Sequence, residues 1–248
     1  MTMIPKIIHY CWFGRGEMPE LVQTCIASWH THMPDWEYRC WSEDNFDIES
    51  APQYVREAYA AKKYAFVSDY VRLWALEREG GVYMDVDFEV YKPFDDLMEQ
   101  HSAFAGYEGS KKDPVMMGVL AAAPHHPWIQ GMMATYADRR FVKEDGSLDM
   151  TPNTGYFYEW MTKQGFVADG VEKDWNGVHI LPVECFCPGL TTGENLRCER
   201  TYCEHKGLHS WSGNGGWKAM IMQYMPQKLK TKLIKLKRKI FKYNGKII

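Results

Sequence analysis

The chain has no apolar run long enough to span a bilayer, which argues against a transmembrane helix. Its first residues lead straight into a short strand-like segment, without the basic and apolar regions of a secretory leader. No Gly-X-X-X-X-Gly-Lys-Ser/Thr segment is present, so a P-loop is unsupported. There is no internal repeat, and the one biased stretch lies at the C-terminal end. The seven cysteines are an odd number, and free thiols in a reducing cytoplasm are the expectation. Cys185, Cys187, Cys198 and Cys203, with His205 and His209 nearby, raise zinc as an idea, but their spacing fits no standard knuckle. Buried cysteine packing is the simpler reading.

What is present is enough for one large domain. The 248 residues are 46% hydrophobic, and a chain of that length buries most of its apolar surface. Aromatic residues make up 15%, with 10 Trp. They suit a carbohydrate platform and serve equally as core filler. The net charge of −3 hides an asymmetry. Residues 228–248 carry nine Lys or Arg and no acid, which leaves 20 basic against 32 acidic residues, −12, in 1–227. Within the tail, Leu229, Leu233, Leu236 and Ile240 recur at helical spacing, with Ile234 and Phe241 widening the stripe. A basic amphipathic helix over 228–242 is the signature of an anionic membrane surface. Nucleic acid is the rival for any basic run, but the apolar face and the acidic body speak against it. Packing of the tail on that body is the third reading. The division is therefore a catalytic-size domain over 1–225 and a tail over 226–248.

Strand and helix patterns alternate along the body. Residues 6–12 form a near-continuous apolar run, as a buried parallel strand does. Helical spacing follows over 19–30, a short strand over 37–41, and helices over 52–61 and 64–79. Further strands are expected over 82–91, 104–107, 115–121 and 178–182, and helices over 127–140 and 154–161. Residues 184–216, rich in Gly, Cys and polar side chains, read as a mobile loop over a site. This order predicts a mostly parallel α/β sheet with helices on both faces, whose ligands bind beyond the carboxyl ends of strands.

The segment that speaks most about chemistry is Gly80-Gly81-Val82-Tyr83-Met84-Asp85-Val86-Asp87. Its alternation is that of a strand, which would project Asp85 and Asp87 from one face. Adjacent carboxylates repel, so a cation belongs beside them. Hard oxygen donors favour Mg²⁺ or Mn²⁺, which commonly also binds substrate phosphates. The plainer reading is a solvated strand end. Just upstream, Asp69 and Arg72 lie three apart on the helix and share a face. Alone, they would be an ordinary ion pair.

The run Ser68-Asp69-Tyr70-Val71-Arg72 followed by Gly80 to Asp87 resembles the sugar-binding Asp-X-Asp region of glycosyltransferase family 32. It is also similar to the catalytic domain of large glucosylating bacterial toxins. Ile4-Pro5-Lys6-Ile7-Ile8-His9-Tyr10-Cys11-Trp12-Phe13-Gly14 looks like that family's opening strand, and His209-Ser210-Trp211-Ser212-Gly213, with Trp217 beyond, like its closing motif. The closing motif departs from the commoner spacing, so Ser210, Ser212 and Asn214 stay open as its polar member. The resemblance implies a GT-A-type nucleotide-sugar-binding fold and a retaining, metal-dependent transferase. It implies a UDP-linked donor in preference to GDP-mannose, and a glycan or lipid-linked acceptor. Asp87 is implied as the direct ligand of Mn²⁺ or Mg²⁺, Asp85 as a ribose or water-mediated metal contact, and His209 as a further ligand or pyrophosphate contact. Trp12 and Tyr83 would line the nucleotide pocket, Asp69 and Arg72 would hold the sugar, and Trp211 would cover the phosphates. With the basic tail, this places the protein in the cytoplasm, peripheral on the inner face of the membrane. The other readings are a toxin-like protein glycosyltransferase, a glycoside hydrolase using Asp85 and Asp87 as its carboxylate pair, and a non-catalytic binding protein.

Overall fold

The structure, a computed structural model, describes residues 3–108, 115–189 and 196–207, with only the backbone of Met116. His209, Ser210, Trp211, Ser212, Asn214, Trp217 and the whole tail lie outside the described residues.

The elements run β1 (Ile7–Cys11), α1 (Glu20–His32), β2 (Glu37–Trp41), α2 (Gln53–Ala60), α3 (Tyr64–Glu79), β3 (Gly81–Met84), β4 (Phe88–Val90) and α4 (Asp95–Gln100). They continue with β5 (Ala103–Tyr107), β6 (Val115–Ala122), α5 (Pro127–Ala134), α6 (Asn153–Lys163), β7 (Lys173–Trp175), β8 (Val178–Leu181), α7 (Val183–Phe186) and β9 (Cys203–His205). Proline opens helices repeatedly: Pro19, Pro52, Pro152 and Pro182 stand at extended ψ just before α1, α2, α6 and α7. A fixed φ and no amide proton suit a residue that cannot continue a helix backwards.

Seven strands form one sheet in the order β2-β1-β3-β6-β5-β8-β7. β2, β1, β3, β5 and β8 point one way, and β6 and β7 run against them. The expected α/β sheet with helices on both faces is thus observed, with antiparallel insertions that apolar runs do not announce. Alternate strand residues feed two cores. Tyr83, Ala105, Leu120 and Ile180 pack with α2, α3, α5 and α6 on one face. Ile8, Val82, Met84, Phe104 and Val119 pack on the other with α1, α4, α7 and the small β4-β9 sheet.

The α3-to-β3 reversal needs two glycines. Gly80 and Gly81 have φ of +64° and +108°, a region that L side chains avoid. A Cβ on Gly80 would sit 2.5 Å from Pro124, and one on Gly81 would sit 2.7 Å from the Ile7 carbonyl oxygen. Buried His9 secures the turn: Trp41 Nε1 donates to its Nδ1 at 3.1 Å, and its Nε2 meets the Gly80 carbonyl at 2.8 Å. With Nδ1 accepting, Nε2 carries the proton, and burial lowers the ring's pKa, which keeps it neutral.

Several expectations are corrected. The strand expected over 82–91 is two strands of different sheets, broken by a turn at Asp85 to Asp87. The Phe88 amide donates to the Asp85 carbonyl at 3.2 Å and closes it. The helix expected over 127–140 stops at Ala134. The loop expected over 184–216 contains α7 and β9 in its described part, with Cys185, Cys187 and Cys203 buried. Alternation alone could not reveal these breaks, because sheet membership depends on distant partners.

Candidate functional site

A cavity of about 590 Å³ opens beyond the carboxyl ends of β1 and β3. It is lined by Trp12, Asp69, Arg72, Tyr83, Asp85 and Asp87 among others. Every described residue expected at the donor site therefore reaches one cavity. The two carboxylates arrive there from the turn after β3 and not from one strand face. The Asp85 amide donates to the Gly118 carbonyl at 2.8 Å and carries the β3–β6 pairing one residue further. Gly118 makes room for the acid: a Cβ there would lie 3.0 Å from Asp85 Oδ2 and 2.7 Å from the Phe88 ring.

Arg72 organises the site from below. It is buried, and its Nη2 donates to Asp69 Oδ1 at 2.7 Å and lies 3.5 Å from Asp85 Oδ1. Its Nη1 donates to the Met117 carbonyl, and its Cζ stacks 4.6 Å above the Tyr83 ring. The Tyr83 hydroxyl in turn donates to Asp85 Oδ1 at 2.7 Å. One guanidinium thus joins α3, β6 and the Asp-X-Asp turn. Burial raises the Asp69 and Asp85 carboxyls, against the pull of Arg72. Asp85 is raised further by the negative charge of Asp87.

Asp87 meets His205, which follows closely on Cys203. His205 Nε2 lies 3.0 Å from Asp87 Oδ2, and its ring stacks on Phe88 at 4.6 Å. Burial alone would lower the His205 pKa; the charge and hydrogen bond of Asp87 raise it. By type, two carboxylates and an imidazole suit a small divalent cation, but their ligand atoms do not all lie within 4.8 Å of one another, so an ion bound here would draw them closer. Among the described residues, no group of three or more Cys, His, Asp or Glu includes those cysteines within ligand distance, and His209 lies outside them.

Sequence reading also missed Lys62 and Lys63, which bring positive charge to the cavity, and Asn153 and Thr154 at the start of α6. A left-handed φ of 56° at Lys62 marks an irregular link between α2 and α3. No local pattern signalled His205, because its place depends on the β4–β9 register, Phe88 opposite His205.

Helix, glycine reversal, strand and carboxylate turn follow one another in the order expected of an Asp-X-Asp glycosyltransferase region. Residues 19–104 match the family described as glycosyltransferase sugar-binding region containing DXD motif, and glycosyl transfer is the activity that this match and the named relatives support. The chain is similar to "Uncharacterized glycosyltransferase L373" of Acanthamoeba polyphaga mimivirus, 24% identical over 223 residues, 85% of this chain and 84% of the relative. It is also similar to inositol phosphoceramide mannosyltransferase 1 of Schizosaccharomyces pombe, 28% identical over 141 residues, 52% of this chain. The chain spans 41% of that relative's length. Among solved structures, "PaToxG Glycosyltransferase" is similar at 18% identity and a TM-score of 0.48, covering 65% of this chain and 70% of that one.

Proposed function

We propose that this glycosyltransferase is metal-dependent and retaining. It moves a sugar from a nucleotide diphosphate sugar, UDP-linked in preference, to a lipid-linked or polysaccharide acceptor in cell-surface glycan synthesis. The observation that carries the reading is the meeting of Asp69, Arg72, Asp85, Asp87 and His205 at one cavity. A bound Mn²⁺ or Mg²⁺ supplies neutralisation of the charge that grows on the leaving diphosphate.

The chain's own residues then have these roles. Asp87, steadied by His205, offers the direct metal-ligand oxygen. Asp85 is held by Tyr83 and Arg72 facing the ribose or a metal-bound water. Asp69 accepts hydrogen bonds from hydroxyls of the transferred sugar, and Arg72 keeps Asp69 ionised and oriented. Trp12 offers a face to the base, and Lys62 and Lys63 add positive charge for the phosphates. His209 and Trp211 are assigned to the phosphate side by their motif alone. A donor panel with Mn²⁺, scored for nucleotide diphosphate release, tests the reading. Full activity in EDTA would overturn metal dependence and bring back the glycoside hydrolase.

A second reading has support in the yeast relatives, whose names specify mannosyl transfer to inositol phosphoceramide. A mannosyl donor with a lipid acceptor is the form that it takes here, and the same panel with GDP-mannose separates the two. The toxin-like alternative requires a protein acceptor, which labelled-donor transfer to protein would reveal.

The tail over 228–242 is proposed to seat the domain on the cytoplasmic leaflet, each cation near an anionic surface contributing about 1 kcal/mol. Among the described residues, no helix is long and apolar enough to cross a membrane. Truncation after Tyr224 is expected to release the protein from anionic liposomes and to slow transfer to a lipid-linked acceptor, with donor hydrolysis nearly unchanged. Full-length protein that ignores anionic vesicles at low salt would refute the membrane role.

A further inference from the structure

At the far edge of the sheet lies a second cavity of about 390 Å³, which shares no lining residue with the first. His101, Glu172, His179 and Arg200 line it. His101 caps the C-terminal end of α4 just before β5, and His179 sits on β8, where it is the register partner of Phe104 on one side and Asp174 on the other. The β7–β8 hairpin turns through Asn176 and Gly177 at φ of +47° and +80°, the two-residue geometry that locks a hairpin register. Asp174 and His179 are therefore fixed as direct cross-strand neighbours, and β5 brings His101 beside them.

We infer that His101, Asp174 and His179 form a second divalent-metal site, separate from the Asp-X-Asp turn and suited to Zn²⁺. One ligand atom from each lies within 4.8 Å of the other two. Tetrahedral Zn²⁺ with bonds of roughly 2 Å places ligand atoms about 3.3 Å apart. Closing that gap takes side-chain rotation only, since Asp174 is 78% exposed and His101 is part-exposed. His179 Nδ1 already lies 2.8 Å from Asp174 Oδ1, so an ion there replaces the shared proton. The imidazoles of His101 and His179 stack at 3.9 Å with 7° between their planes, and because an ion lies in the plane of each ring that binds it, the His101 ring must turn off the stack to share one.

The surroundings are those of a metal-bound imidazole. His179 Nε2 lies 3.1 Å from Glu172 Oε1, and Arg200 Nη2 donates to Glu172 Oε2 at 2.6 Å. A ligating histidine whose other ring nitrogen donates to an anchored carboxylate is the usual outer arrangement of such sites. Two imidazoles and one carboxylate leave a fourth position for water. Arg200 and Lys92 are the cations that also line the cavity. Arg200 is already engaged by Glu172, and Lys92 Nζ lies 3.9 Å above the Tyr202 ring and donates to the Glu199 carbonyl. Such an ion would clamp the three-residue edge strand β7 to the start of β5.

The test uses the full chain carrying Asp85→Asn and Asp87→Asn, so that the turn carboxylates do not compete. After EDTA dialysis it is titrated calorimetrically with Zn²⁺ and optically with Co²⁺. The expected result is one tight equivalent and a Co²⁺ visible band without thiolate charge transfer. Tm should rise by roughly 5 °C or more at a hundredfold excess of Zn²⁺ over Kd. His179→Asn, and independently Asp174→Asn at its exposed position, should each weaken binding at least tenfold and remove the Tm rise, while Tm in EDTA stays within a few degrees of the parent. Absence of a tight equivalent overturns the site. So does binding unchanged in both variants, or a thiolate band that disappears with Cys198→Ser.

Discussion

The large cavity takes Asp69, Arg72, Asp85 and Asp87 from a single stretch of chain, residues 69–87, and Trp12, Asn153 and His205 join them from elsewhere. At the edge cavity, His101 and His179 of the lining and Asp174 beside them come from three places that meet through sheet pairing. In the first, a helix and a glycine reversal set the geometry, and the ligands stay together wherever that unit goes. In the second, register does the setting, and a slip of one residue in β7 would turn Asp174 to the opposite face. A site built locally tolerates change in the sheet; a site built by register does not.

The strongest test of this contrast removes the carboxylate that only the first cavity uses. Asp87→Ala is expected to lower metal-dependent nucleotide diphosphate release by about 100-fold or more, since a cation on the leaving group contributes several kcal/mol. Its far-ultraviolet dichroism should stay native, and its Zn²⁺-dependent Tm shift should persist. Turnover within tenfold of wild type would remove Asp87 from the metal site.

Next comes the rivet beneath the site. Arg72→Lys cannot reach Asp69, Asp85 and the Met117 carbonyl together, because a single ammonium lacks the planar fork. Leaving buried Asp69 and part-exposed Asp85 poorly paired should cost roughly 3 kcal/mol in urea unfolding, with activity falling in step. A loss under about 1 kcal/mol, on the scale of an exposed pair, would make the network incidental.

Gly81→Ala probes the reversal itself. The strained φ and the approach to the Ile7 carbonyl predict destabilisation of about 1–3 kcal/mol. Because the turn aims Asp85 and Asp87, apparent Mn²⁺ affinity should weaken as well. A stable variant with unchanged Mn²⁺ response would separate the reversal from the site.

The smallest effect belongs to a carboxylate that lines neither cavity. Glu57 accepts from Arg140 at 2.7 Å and from the amides of Phe141 and Val142 at 2.8 and 2.9 Å. Burial would raise its pKa, but these donors together hold it below the usual value. A depressed folded pKa contributes stability above the unfolded value, about 4.3, and that stability is lost as pH falls through the folded value. Glu57→Gln should therefore be less stable than wild type by about 1–2 kcal/mol at pH 7, with the gap narrowing below about pH 4. A pH-independent gap would assign the loss to packing.

Much of this was legible in the sequence for a physical reason. Helical spacing gave α1, α2, α3 and α6 close to their observed bounds, and the Gly80-Gly81 stop marked the reversal. Trp12, Asp69, Arg72, Tyr83, Asp85 and Asp87 were all read as site residues and line one cavity. Alternation misled at Asp85, where a turn follows the same apolar-polar rhythm as a strand for three residues. β7 and β9 were missed because each is three residues long, too short to show a period. His205 drew notice only beside the cysteines, and neither its meeting with Asp87 nor the edge cluster could be read, because nothing local records which strands will pair.

The bond between Asp87 and His205 spans 118 residues, and that span is also an interval of time. At synthesis rates of about 5–20 residues per second, the imidazole leaves the ribosome roughly 6 to 24 s after the carboxylate it faces. During that interval β4 has α1 to lean on: Trp29 Nε1 donates to the Phe88 carbonyl, and the Val90 amide donates to Ser28 Oγ. Its outer edge has no β9. The nascent chain therefore carries its acidic turn half-built while most of the sheet is being made. An arrest-peptide scan should show a late folding event once residues 203–205 clear the tunnel; a force profile already flat by then would mean that the turn is set without them.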